Sequence, residues 1–95
     1  MRPFPLSTPN LDDADLKLQA LDEAWLDFRT ARKVYSVTRV DHRAALHSGD
    51  LNRMQVYEIR LAESFKAYVT SIVTLKEAHV AWKLAMRNLN QSKGL

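Results

Sequence analysis

His42 to Met54 reads HRAALHSGDLNRM, and inside it stands Gly49, the only glycine before position 94. Long apolar-periodic segments without a proline lie on either side. Glycine takes the left-handed conformation that ends helices without steric cost. Its neighbours Ser48 and Asp50 carry side-chain oxygens that can cap the first amides of a following helix. The stretch therefore reads as a helix stop followed at once by a helix start, with the turn at Ser48, Gly49 and Asp50.

Upstream of the turn, neither glycine nor proline occurs between positions 11 and 46, and apolar residues recur at Ala14, Leu18, Leu21, Trp25, Phe28, Ala31 and Tyr35. This alternating three-and-four spacing marks one face of a helix. Asp12, Asp13 and Asp15 crowd its first turn, where carboxylates meet the positive end of the helix dipole, and Ser7, Thr8 or Asn10 is available as a cap. The pattern predicts a helix over 11–47, with fraying expected near Ser36 to Thr38. All three prolines fall within residues 1–10, which predicts an extended arm there.

Downstream, Met54, Leu61, Tyr68, Leu75, Trp82 and Leu89 follow one another at steps of seven. Tyr57, Ala78 and Ala85 stand three residues after members of this series, and Phe65, Ile72, His79 and Met86 four after. A sustained seven-residue repeat implies left-handed, coiled-coil-like packing. It predicts a helix over 51–90, with a frayed polar tail over 91–95.

Two helices joined by so short a turn run antiparallel, and at about 1.5 Å per residue the hairpin would be on the order of 55 Å long. If it zips from the turn, residues whose numbers sum to about 99 lie level, since Gly49 and Asp50 occupy the bend. Trp25 then approaches Leu75, Arg39 approaches Arg60, and Glu58 comes within reach of Arg39 and His42. Ser64 and Ser71 read as small residues that let the helices approach closely. The second helix carries a further apolar set off the seven-step stripe, Val56, Ile59, Ala62, Val69, Val73, Val80 and Leu84. One partner helix cannot cover two faces. The expected fold is thus all-α, a long antiparallel two-helix hairpin assembled into a larger helical bundle, as a homo-oligomer or with a protein partner.

Composition narrows the function classes. Ninety-five residues are one domain at most. The apolar share of 46% and charged share of 26% suit a folded chain. The chain has no cysteine, which excludes disulfides, thiolate catalysis and cysteine-held zinc. No run of about 18 uncharged apolar residues occurs, so no membrane span is expected. The first residues hold no apolar run of signal-peptide length, which points to the cytoplasm, or to the periplasm if the chain is a piece of a longer exported protein.

Chemistry-bearing constellations are sparse. His42 and His47 are about 140° apart around a helix and His79 lies on the other helix, so no metal site is expected. Ser36, Ser64 and Ser71 sit inside helices, away from any strained turn that would present a nucleophile, and no glycine-rich loop cradles a phosphate. The pair Asp22 and Glu23 has no concave site around it. An enzyme is not expected, nor a cofactor.

Charge is uneven although the formal net is only +3. Between Leu11 and Phe28, Asp12, Asp13, Asp15, Asp22, Glu23 and Asp27 face a lone Lys17. Arg29, Arg32, Lys33, Arg39 and Arg43 follow with Asp41 alone against them. The turn end is therefore basic, and Arg39, Arg43 and Arg53 are candidates for steering an acidic partner. Val69, Val73, Val80 and Leu84 are candidates for the surface buried against it. The alternative partner for the basic stretch is nucleic acid, through phosphate contacts.

The run from Ala45 to Asn90, ALHSGDLNRMQVYEIRLAESFKAYVTSIVTLKEAHVAWKLAMRNLN, resembles the helical repeat of TolC-like outer-membrane efflux proteins. The likeness spans roughly residues 31–90. It rests on Gly49 at the turn, Asn52 and Val56 after it, Arg60, Ala62 and Glu63 along the helix, and Leu89 near its close. What the resemblance implies is a shape, a helical hairpin packing beside copies of itself or another helical protein through its flanks or its tip. It also raises the alternative of a fragment or relative of an efflux-channel helical domain.

Overall fold

A computed structural model describes residues 9–93 as two helices, α1 (Pro9–Ser48) and α2 (Leu51–Lys93), packed antiparallel as a hairpin. Both helices outrun the expected ends. Pro9 opens α1 because proline fits the first helical position, where its missing N–H has no intrahelical acceptor. Of the expected extended arm over 1–10, residues 9 and 10 are helical, and residues 1–8 lie outside the described residues. At the other end Gln91 to Lys93 continue α2 rather than fraying, since no glycine or proline intervenes before Gly94. Residues 94–95 of the expected tail lie outside the described residues. The longer helices give a long axis of 68 Å, against the 55 Å or so expected.

The turn is built as its residue types require. Gly49 adopts φ +74°, the left-handed conformation that closes α1. The Ser48 hydroxyl donates to the Ala45 carbonyl at 2.7 Å and accepts the Asp50 amide at 3.2 Å. Asp50 caps α2, its carboxylate accepting the amides of Asn52 (3.0 Å) and Arg53 (3.2 Å) while its carbonyl accepts the Met54 amide at 2.9 Å. Ser48 therefore finishes the first helix and Asp50 starts the second. The stretch at Ser36 to Thr38 does not fray, for α1 is continuous there, and the Thr38 hydroxyl donates to the Val34 carbonyl at 2.7 Å.

Burial follows a heptad on each helix. On α1 the covered positions include Ala14, Leu21, Ala24, Phe28, Ala31, Tyr35, Thr38, His42 and Ala45; on α2 they include Met54, Tyr57, Leu61, Ser64, Tyr68, Ser71, Leu75, Ala78, Trp82, Ala85 and Leu89. Large and small residues alternate from Leu21 to Tyr35 on α1 and from Leu61 to Leu89 on α2. With level residues summing to about 99, Leu21 stands opposite Ala78, Phe28 opposite Ser71, and Tyr35 opposite Ser64, while Ala24, Ala31 and Ala45 stand opposite Leu75, Tyr68 and Met54. Each of these layers pairs a bulky side chain with a small one, which lets the axes approach while the seam stays filled; towards the two ends Ala14 stands level with Ala85 and His42 with Tyr57. The serines join the seam without an unpaired polar atom: Ser64 donates to the Leu61 carbonyl at 3.0 Å and Ser71 to the Tyr68 carbonyl at 2.6 Å.

Aromatic rings mark the register directly. Trp25, Phe28, Tyr68, Tyr35 and Phe65 form an unbroken ladder with centroid separations of 5.5, 5.8, 5.5 and 5.4 Å, crossing between the helices at each of its last three steps. Separations of this size are those of favourable offset and tilted ring pairs.

Candidate interaction surfaces

A hairpin of two helices has a single seam, so everything else these sequences carry is turned outward. The residues that reach full burial are small: Ala14, Ala24, Ala45 and Ala85 among the apolar ones, Ser64 and Ser71 among the polar. Large apolar side chains stay uncovered on every side of the rod. The chain exposes 7358 Å², where a compact chain of 10.9 kDa would expose about 5,600 Å². Its radius of gyration, 20.8 Å, compares with about 12 Å for a globular chain of this length.

The outer face of α2 carries the expected apolar set. Ile59, Val73 and Val80 point away from the seam at steps of seven or multiples of it. Val69 flanks them on one side and Val56 and Leu84 on the other, all between 41% and 62% exposed. Lys66 and Arg87 interrupt the row at the same angular position. The four residues singled out from sequence, Val69, Val73, Val80 and Leu84, thus lie together on one uncovered strip.

The basic candidates lie in the turn half, but two of the three are engaged within the chain. Arg39 lies over the Tyr35 ring with its guanidinium carbon 5.7 Å from the centroid, and Arg53 over Tyr57 at 5.9 Å. Arg60 approaches the same Tyr57 at 5.1 Å and Arg32 lies over Phe28 at 5.7 Å. Each contact is worth about 0.5–1 kcal/mol at an exposed site, and it leaves the edge N–H groups free to donate. Arg43 is exposed. The expected approach of Glu58 to Arg39 and His42 does not yield an ion pair: among the described residues the pair within 4 Å is Lys17–Asp13, at 3.9 Å. The ring of Tyr35 is the nearer attraction for Arg39, because it lies one turn away on the same helix. Sequence reading missed these stacks, although an arginine four residues from an aromatic, as in Phe28–Arg32, Tyr35–Arg39 and Arg53–Tyr57, is the signal that announces them.

No arrangement for covalent or metal chemistry is drawn together. His42 is half-buried in the seam, His47 is exposed beside the turn, and His79 is exposed and stacks on Trp82 at 6.2 Å. Among the described residues no three His, Cys, Asp or Glu side chains gather as a metal site. The Ser64 and Ser71 hydroxyls are committed to the backbone. Among the shallow grooves where the helices meet are two of contrasting lining. One is lined by small residues, Ala31, Ala67, Thr70, Ser71 and Thr74, with Asp27, Glu63 and Lys66 at its rim. The other is lined by Leu21, Trp25, Leu75 and His79, with Asp22 and Lys76 at its rim. No helix among the described residues is long and apolar enough to cross a membrane. No family model matches the chain, and neither a curated protein nor a solved structure shows significant similarity to it.

Proposed function

We propose that the chain is a non-enzymatic protein-binding hairpin, an assembly subunit or a small adaptor or inhibitor that covers a partner's surface. The observation that carries this reading is the uncovered apolar strip on α2, with Val73 49% and Val80 57% exposed on a rod whose seam is already filled. Helices that are apolar around most of their circumference are found buried on most of it. A partner helix laid along Val69, Val73, Val80 and Leu84 would cover that strip. The arginines of the turn half, Arg39, Arg43 and Arg53, would then select an acidic surface and speed encounter with it. The likeness to TolC-type hairpins supports the same reading at the level of shape, a rod that works by lying beside other helices.

Val73→Asp/Val80→Asp tests it. Because both side chains point away from the seam, the expected result is loss of the protein partner captured along this strip, while the far-ultraviolet circular dichroism stays that of the parent. Unfolding of the double variant to a coil would show that these valines hold the hairpin itself together and would overturn the assignment.

The exposed arginine cluster of the turn half favours one further reading, attachment to nucleic acid through phosphates. It predicts binding to random-sequence DNA that falls steeply with salt. Binding that ignores salt, or none at low salt, counts against it.

A further inference from the structure

The groove of Leu21, Trp25, Leu75 and His79 opens on one broad side of the hairpin, and that side has a charge order of its own. Asp22 on α1 and Lys76 on α2 rim the groove at the same height. One heptad further from the turn, Asp15 and Lys83 repeat the arrangement, again with numbers summing to 98. None of the four is in an ion pair within 4 Å. Leu18 (42% exposed) and His79 lie between the two charge levels; Trp25 (49%), half-buried Ile72 and Phe65 (49%) follow towards the turn, where Arg29, Arg32, Arg39 and Arg43 stand on the same side of α1.

A surface with acids on one helix and bases at equal height on the other is complementary to itself under one operation. A two-fold axis running along the rod, between two such sides, lays α1 of one copy on α2 of the other, antiparallel and level. Two-fold interfaces require that if one residue meets a second, the second meets the first, and the acid–base order satisfies this. A two-fold across the rod sets α1 on α1 and α2 on α2; with Asp22 on Arg43 and Lys76 on Glu58 it leaves Asp15 and Lys83 without an opposite charge, whereas the axis along the rod pairs all four.

The geometry points to a second copy of this chain as the occupant of this side, forming a four-helix bundle with both turns at one end. In it Asp22 faces Lys76 and Asp15 faces Lys83 of the other copy, around a core of Leu18, Trp25, Phe65 and Ile72. The size agrees: the excess of about 1,800 Å² that each chain exposes over a compact one is what a tight homodimer removes per partner. The inference rests on reading the chain as an assembly subunit, and it leaves the outer strip of α2 uncovered by the dimer.

The test is a charge exchange in the full chain, read by sedimentation across a concentration series, with circular dichroism to verify helix content. Asp22→Lys and Lys76→Asp should each raise the dimer dissociation constant at least tenfold, and the combined variant should return it to within about threefold of the parent. Singles without effect, or a combined variant as weak as the singles, would overturn the pairing. Orientation is read separately from a spin label at Asn52→Cys, the only thiol in the chain: the two labels should lie within a few tens of ångströms. A separation near the 68 Å length of the rod would overturn the two-fold along it. Association that responds to Val73→Asp/Val80→Asp but not to the charge exchange rejects this pairing and leaves the subunit reading standing. A chain that stays monomeric rejects the pairing and directs the outer strip to a foreign partner.

Discussion

Gly49 shows how much a single residue decides in this chain. Its φ of +74° is a conformation that costs other L-residues roughly 1–2 kcal/mol, and an added Cβ would meet nothing within 4 Å. The cost of Gly49→Ala is therefore backbone strain alone, and we expect a loss of about 1 kcal/mol in urea unfolding. Asp50→Ala removes the acceptor of two α2 amides and should cost a similar amount, about 1 kcal/mol. Ser71 makes the opposite case, where size rather than polarity matters. Its hydroxyl is bonded only to its own helix, so Ser71→Ala should stay within about 0.5 kcal/mol of the parent. Ser71→Leu, level with Phe28, should cost about 1–3 kcal/mol by forcing the helices apart.

At the scale of the element, the two helices were legible from sequence for different reasons. The turn was readable because glycine flanked by serine and aspartate leaves few alternatives. The α2 stripe from Met54 to Leu89 was readable because six large apolar residues keep a step of seven without a break. The small partners in the same seam were half legible: Ser64 and Ser71 were read as sites of close approach, yet their pairing with bulky residues opposite needed the register. Helix ends were the weakest part, since Pro9 and Gln91 to Lys93 have no strong preference that the packed helix does not override. The inter-helix ladder was invisible to spacing alone, because Phe28, Tyr35, Phe65 and Tyr68 lie on two separate stripes until the hairpin closes. Tyr68 bridges Phe28 and Tyr35 in that ladder. Tyr68→Ala should therefore destabilise by about 2–3 kcal/mol, whereas Val37→Ala, on a residue 52% exposed, should change stability by less than about 0.5 kcal/mol.

For the whole molecule, the ratio of surface to mass governs what the fold can do. A rod whose seam takes one row of large side chains from each helix, with many more left outside it, has placed much of its bulk where a neighbour would bury it. The candidate surfaces were visible in sequence as a surplus of apolar residues on α2, but the sequence did not tell which sides of the rod the charges would accompany. That follows from the level pairing of Asp22 with Lys76 and Asp15 with Lys83, which exists only once the register is known. If association completes the fold, mass action ties stability to concentration, and the thermal midpoint should rise by several degrees across a hundredfold increase in protein.

The molar mass of the purified chain, followed by sedimentation across that concentration range together with its thermal midpoint, tests the central claim most directly. The account predicts a mass twice the 10.9 kDa of the chain at the upper concentrations, and a midpoint that climbs with the dimer fraction. A single 10.9 kDa species that unfolds cooperatively at a midpoint independent of concentration would contradict it.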